Sequence, residues 1–201
     1  MWQVHRLEWK TQIMNDIAVF ESADIKKTKL DILSGQPDFS RGYVDGTLNI
    51  DKMIKICPRT YDAMVGCHIY SYLKAGNQYI PINLGWIENG AVITYNDLLP
   101  GRFGGHLRTP EEKGTFTPPN RIEDDIWYSA NIADMQAYFE IKSEMHPQIL
   151  YVEAPYGFGN IKPFNGMPKP RNKHFQYAVF WFGMAALLAA LLGFSWWRKT
   201  R

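Results

Sequence analysis

The strongest constraint on the fold is a long uncharged segment at the C-terminal end. From Phe175 to Trp197 the sequence contains no Asp, Glu, Lys or Arg. At about 1.5 Å per residue, these roughly 23 residues form a helix just long enough to cross a bilayer. Trp196 and Trp197 suit the membrane–water interface, and the cations after them suit the lipid headgroups. The segment predicts a transmembrane helix over 174–197, followed by a short tail, 198–201. The cations on the two sides of the helix nearly tie in number, so composition alone leaves open which side of the membrane the tail occupies.

Polar and aromatic residues concentrate at the start of this helix. With about 3.6 residues per turn, His174, Tyr177 and Trp181 share one face, and Gln176 lies next to Tyr177 in sequence. An imidazole at the edge of the hydrocarbon suggests a functional site. Amphipathic rings are also common at the interface without any such role. Residue types alone leave both interpretations open.

The remainder of the chain is long enough for one domain with its own core. The formal net charge is +2, which is too balanced to suggest a nucleic acid as partner. The sequence has no hydrolase elbow, zinc-protease helix, Walker loop or dinucleotide fingerprint. It therefore predicts a protein that is not an enzyme.

Apolar spacing predicts a helix followed by a sheet. Trp9, Ile13 and Ile17 recur at four-residue spacing and indicate an N-terminal helix over 1–22. Short alternating segments separated by turns then predict an antiparallel, barrel-like sheet within a domain over 40–155. The predicted strands are 43–48, 52–57, 67–73, 79–87, 91–95 and 149–152, with Pro58 ending the second.

Glycine, proline and capping residues predict what joins these strands. Residues 101–120 are rich in Gly and Pro and predict a long irregular loop. Asn131 predicts the N-cap of a helix over 132–144. The Gly, Pro and Asn content of 156–173 predicts a linker that leads down to the membrane.

The two cysteines allow a disulfide or a pair of thiols. If the strands pair around a turn near Asp62, Cys57 and Cys67 fall opposite each other, near the separation that a cross-strand bridge needs. An oxidising compartment favours the disulfide and the cytoplasm favours two thiols. Cys57, Cys67 and His68 are also soft metal ligands, but neighbouring residues of a strand point to opposite faces. His5, His106 and His146 are predicted to be surface or loop histidines.

Several motifs carry a resemblance to one family. The segment RNKHFQYAVFWFG, residues 171–183, resembles the second transmembrane helix of the Surfeit locus protein 1 family, the cytochrome c oxidase assembly factors. Further similar segments follow in the same order at 2–10, 46–48, 58–60, 85–87, 116–120 and 127–128. Leu84 stands where the family usually has Arg, and Glu88 where it has Pro. The family also expects a first transmembrane helix before Trp2, which is missing from this chain.

The resemblance implies a membrane-anchored α+β protein with an antiparallel β-rich, barrel-like extracytoplasmic domain. It implies binding of haem a for insertion into cytochrome c oxidase subunit I, with a haem a synthase as a further partner. His174 would ligate the haem iron, Trp181 would pack near it, and Tyr177 and Gln176 would orient it. The implied location is a bacterial inner membrane with the domain in the periplasm and the tail, 198–201, in the cytoplasm, or alternatively the mitochondrial inner membrane.

Two other functions remain open at this stage. One is a membrane-anchored scaffold that stabilises an oxidase assembly intermediate and never carries haem. The other is a tail-anchored cytoplasmic adaptor, which follows if the chain is complete at its N-terminus.

Overall fold

A computed structural model of the chain describes residues 2–21, 24–32, 35–94, 101–111, 114, 116–167 and 174–200. Three α-helices, six strands and one 3-10 turn occur in these residues. They are α1 (Trp2–Glu21), β1 (Arg41–Leu48), β2 (Ile54–Tyr61), β3 (Met64–Ala75), β4 (Gln78–Glu88), β5 (Gly101–Arg108), the 3-10 turn (Ile122–Asp124), α2 (Ile132–Tyr138), β6 (Ile149–Val152) and α3 (His174–Lys199). The chain forms two compact units, and the barrel unit comprises Asp16–Met167.

Five of the strands close into a barrel, which confirms the predicted barrel-like sheet. The strand order is β1-β5-β6-β4-β3-β2, and an additional pairing of β1 with β3 completes the ring. β2 lies outside the ring and extends it from β3. The prediction of an antiparallel sheet is wrong at one pair, because β4–β6 is parallel, whereas the other strand pairs are antiparallel.

The barrel interior is filled by the apolar side chains of alternating strand positions. Such burial stabilises the fold by about 1.5–3 kcal/mol for each large aliphatic side chain. The residues that fill the interior include Val44, Leu48, Ile69, Leu73, Ile80, Ile82, Leu84, Leu107, Leu150 and Val152.

A second apolar cluster lies between the outer face of the sheet and α2. Side chains of β2, β3 and β6 pack there against Met135 and Phe139. The Asn131 side chain accepts a hydrogen bond from the Asp134 N–H and caps α2, as predicted. The helix is shorter than the predicted 132–144, because Phe139 is its C-cap and Glu140 adopts a positive φ of 57°.

The prediction of an irregular loop over 101–120 is wrong for its first part. Gly101–Arg108 is strand β5, which pairs with β1 on one side and β6 on the other. A Cβ at Gly104 would meet the Tyr156 ring, and one at Gly105 would meet the Tyr151 carbonyl. The glycines are therefore required for close packing inside the sheet.

Two further strand predictions are wrong in part. Pro58 does not end β2, because the strand passes through a register shift between Ile56 and Arg59 and continues to Tyr61. Residues 91–94 are not a strand, since the Asn160 side chain bonds the Thr94 N–H and the Val92 carbonyl instead. Residue 95 lies outside the described residues.

The predicted linker over 156–173 packs on the barrel for more than half of its length. Phe158, Ile161 and Met167 are buried, and Lys162 exchanges backbone hydrogen bonds with Trp86 of β4. The sequence signal for a linker came from Gly, Pro and Asn, which here form tight turns against the sheet. Residues 168–173 lie outside the described residues.

Candidate functional site

The residues predicted to hold a cofactor lie at the start of α3. This helix begins at His174, and its part Val179–Lys199 is long and apolar enough to cross a membrane. Positions 174, 177 and 181 fall on one side of the helix by its periodicity. The side chains of His174, Gln176 and Tyr177 lie outside the described part of the chain. Trp181 is described, and 62% of its surface is exposed.

The donor set of α3 fits a haem. The helix supplies one imidazole at its first residue, and imidazole is a common axial ligand of haem iron. From Val179 onward its side chains are exposed, so a flat apolar group would meet uncovered apolar surface, including the Trp181 ring. By residue type, α3 supplies one ligand and one aromatic ring that suit such a group.

A second notable site is a row of polar residues across the outer face of the barrel. Arg41 pairs with His106, His106 with Tyr151, Tyr151 with Asn83, and Asn83 with Tyr70. Residues directly opposite each other share a face of the sheet. The row therefore crosses five strands and lies on the side away from the aliphatic interior.

An ion network stands at one end of this row. Arg41 donates from Nε and Nη2 to Glu153 Oε2 at 3.0 and 2.6 Å, and His106 Nδ1 lies 2.8 Å from Glu153 Oε1. His106 and Glu153 are fully buried. Because a carboxylate can only accept, His106 Nδ1 carries the hydrogen and donates it. Arg41 Nη1 also donates to the Glu21 carbonyl, the last residue of α1.

The electrostatics of this network keep Glu153 ionised. Burial raises the pKa of Glu153, but the hydrogen bonds and charges of His106 and Arg41 lower it by more, so its pKa lies below the usual value. His106 stacks on Tyr151 with ring centroids 5.3 Å apart. The network joins α1, β1, β5 and the segment that follows β6, so its first function is to hold these elements together.

The prediction that His106 is a surface or loop histidine is wrong. It lies in β5 and is fully buried. His146 is also buried, at 6% exposure, with Nδ1 3.2 Å from the Gln148 carbonyl and N–H. The side chain of His5 lies outside the described part of the chain. Strand alternation around His106 could have shown its place, but Gly101, Gly104 and Gly105 concealed that pattern.

Two tyrosines of the row, and His68 beside it on β3, also have shifted pKa values. Tyr70 and Tyr151 hydrogen-bond through their hydroxyl groups, and burial raises the pKa of both. His68 packs edge-on against Phe164, with ring centroids 5.2 Å apart. Burial, together with the nearby Arg59 charge, lowers the pKa of His68 to about 4. His68 is therefore neutral at physiological pH.

Cys57 and Cys67 are joined by a disulfide, with their Cα atoms 4.5 Å apart. The bridge crosses from β2 to β3 beside the register shift. Since both thiols are used, Cys57, Cys67 and His68 do not form a metal site. In the described part of the chain, no group of three or more His, Cys, Asp or Glu residues could hold a metal ion.

The fold and α3 together define a small barrel protein with a C-terminal helix able to cross a membrane. The chain belongs to the SURF1 family, whose family model matches residues 1–186. This membership confirms the resemblance found in the sequence. The family is generally linked to the assembly of cytochrome c oxidase.

Relatives from distant eukaryotes align over almost the whole chain. A SURF1-like protein of Dictyostelium discoideum is 23% identical over 93% of this chain and 87% of its own length. Surfeit locus protein 1 of Gallus gallus is 23% identical over 98% of this chain and 69% of its own length. The Mus musculus protein of the same name is 23% identical over 98% of this chain and 70% of its own.

Proposed function

We propose that this chain is a non-enzymatic, membrane-anchored assembly factor that binds haem a and assists its insertion into subunit I of cytochrome c oxidase. The observation that carries the proposal is the position of His174 at the start of an exposed apolar helix in a SURF1 family member. His174 would ligate the iron, and Trp181 would offer aromatic surface to the macrocycle. Gln176 and Tyr177 would orient the group.

A carrier must release what it binds, and this arrangement suits release. A single axial ligand on an uncovered helix face gives an exchangeable site rather than a closed cage. Haem a is thus the cargo, received from a haem a synthase and passed to subunit I. The role of the chain is to hold the iron at one imidazole and to keep the apolar ring out of water.

The proposed location is the inner membrane of a bacterium, with the barrel in the periplasm, or alternatively the mitochondrial inner membrane. The Cys57–Cys67 disulfide supports this placement, because disulfides persist in oxidising compartments. The apolar segment Val179–Lys199 supports the anchoring.

The test is the absorption spectrum of the full chain purified from cells that make haem a. The His174→Ala variant should bind haem a at least about tenfold more weakly than wild type. Loss of a residue that only supports a metal ligand typically costs 10–100-fold in metal affinity, and loss of the ligand itself should cost no less. A matched pair of tryptophans on α3 tests the aromatic surface. Trp181→Ala should weaken binding, whereas Trp196→Ala, also highly exposed at 73%, should not.

Unchanged haem a in His174→Ala would contradict the ligand assignment. A wild-type protein without haem that still supports oxidase assembly would favour the scaffold instead. The barrel makes up most of the chain, and a groove of 660 Å³ beside its closure, lined by Val44, Ala75 and Gln78 among others, would then be the first surface to mutate.

A further inference from the structure

The turn between β2 and β3 exposes apolar side chains at one end of the barrel. Residues 61–65, called the hairpin tip below, include Asp62 and Ala63, which turn the chain with positive φ angles of 47° and 63°. Met64 and Val65 follow directly and are 41% and 53% exposed. Met64 and Val65 therefore place two neighbouring exposed apolar side chains at the end of the hairpin.

The hairpin tip is firmly held. The Cys57–Cys67 disulfide joins its two strands, and Trp86 Nε1 donates to the Arg59 carbonyl at 3.0 Å. Lys162 Nζ lies over the rings of Tyr61 and Trp86, at 5.2 and 5.1 Å from their centroids. Met64 and Val65 are therefore presented by a rigid support.

The last described residues of the barrel unit lie beside the hairpin tip. Asn165 Nδ2 lies 3.4 Å from the Tyr61 hydroxyl oxygen, so the segment leaving the barrel passes beside the hairpin tip. The barrel unit ends at Met167, and α3 begins at His174. These seven peptide steps extend at most about 25 Å, so a bilayer that takes up α3 begins within that reach of Met167.

The charges around the hairpin tip are balanced. Arg59 and Lys162 carry positive charge, and Asp62 and Glu88 carry negative charge. Attraction to anionic lipids is therefore small. Burial of the apolar side chains among the lipids is therefore the main attraction between the hairpin tip and a bilayer.

We propose that the hairpin tip is a second membrane contact, which inserts Met64 and Val65 into the boundary between headgroups and acyl chains. The proposal rests on the membrane anchoring given under the proposed function. The contact would fix the orientation of the barrel on the bilayer and so the height at which its other surfaces meet a membrane-bound partner.

The experiment uses the full chain reconstituted into phosphatidylcholine vesicles. The native cysteines are bonded to each other, so Val65→Cys can be labelled selectively with an environment-sensitive fluorophore. Asn77→Cys is the matched control, because Asn77 is an exposed turn residue at the other end of β3. Met64→Cys is a second reporter, should Val65→Cys disturb the nearby disulfide.

The labels at 65 and 64 should show blue-shifted emission. Lipids spin-labelled at the headgroup should quench them at least about twofold more than the label at 77, since inserted groups lie about 5–10 Å deep. Replacing part of the lipid with phosphatidylglycerol should change neither result. Water-like emission at both positions, in protein that floats with the vesicles, would overturn this proposal and leave the anchoring intact.

Protein that fails to float with the vesicles would overturn both the membrane anchoring and this proposal. A blue shift that appears only when another protein is added would show that the tip contacts protein and not lipid.

Discussion

The inner face of the barrel sheet and the row of polar residues on its outer face are both largely buried, but they hold different kinds of side chain. The inner face carries aliphatic residues such as Leu73 and Ile82. The outer face carries the row that runs from Arg41 through His106 and Tyr151. The comparison shows that alternation of apolar and polar residues identifies an inner face without showing that the other face meets water. Here the end of α1, α2 and the segment after β6 cover the second face.

The comparison can be tested most strongly at Glu153. Glu153→Ala should lower the free energy of unfolding by about 3–5 kcal/mol, because it leaves the charge of Arg41 and the buried N–H of His106 without their acceptor. Urea unfolding of the detergent-solubilised protein measures the change, and the isosteric Glu153→Gln should fall between wild type and alanine.

Asp45→Asn is the control for this variant. Asp45 and Arg102 form an ion pair between the same two strands, β1 and β5, but both side chains are nearly half exposed. Solvent screens such a pair, so its loss should change the unfolding free energy little. Equal effects of Glu153→Ala and Asp45→Asn would contradict the contrast between a buried outer row and the solvated surface.

The pH dependence of stability provides a test of the outer face at His68. Its pKa is about 4 in the folded protein and 6.5 when unperturbed, so the unfolded chain takes up the proton first as the pH falls. Stability should decrease below pH 6.5 by about 3 kcal/mol on reaching pH 4, since each pKa unit corresponds to about 1.36 kcal/mol. Unfolding measured from pH 7 to 4 should show this loss in wild type and not in His68→Gln.

The pH range in which stability is lost distinguishes the effect of His68 from that of Glu153. The pKa of Glu153 is lowered, so its stabilisation is lost only as the pH falls below its usual value of 4.5. Identical profiles of wild type and His68→Gln between pH 6.5 and 5 would contradict the burial of a neutral His68.

A smaller effect is expected from the tyrosine pair. Tyr151→Phe keeps the ring on which His106 stacks and removes the hydroxyl that bonds Tyr70. The loss should be on the order of 1 kcal/mol, because one neutral hydrogen bond is broken in a buried site. Thermal unfolding measures it. If Tyr151→Phe lowered the unfolding free energy as much as Glu153→Ala, the charged end of the row would not contribute more to stability than the tyrosine pair.

The sequence predicted those parts of the fold in which one face of an element is apolar and uninterrupted. The alternation in β3 and β4 and the uncharged segment of α3 are of this kind. β5 was missed because Gly104 and Gly105 have no side chains to show the alternation of a strand. Glycine is required at these two positions because the Tyr156 ring and the Tyr151 backbone approach them closely.

The candidate site was accessible to the sequence only in its α3 part. His174 and Trp181 lie within one local motif, so spacing along a helix relates them. Arg41, His106 and Glu153 are far apart in sequence and meet through two strand pairings, β1–β5 and β5–β6, and the segment that follows β6. Residue types alone do not show such a meeting, since each of the three is common on surfaces.

The order of the strands has a consequence for how the chain is made. Of the strand pairs in the described part of the chain, β4–β6 alone is parallel, and it joins Ile82 to Leu150. Contacts between segments so distant in sequence form late, because the loop between them must first be ordered. During synthesis the ring cannot close until β6 has left the ribosome, shortly before α3 follows. The barrel can therefore be completed only shortly before α3 is synthesised.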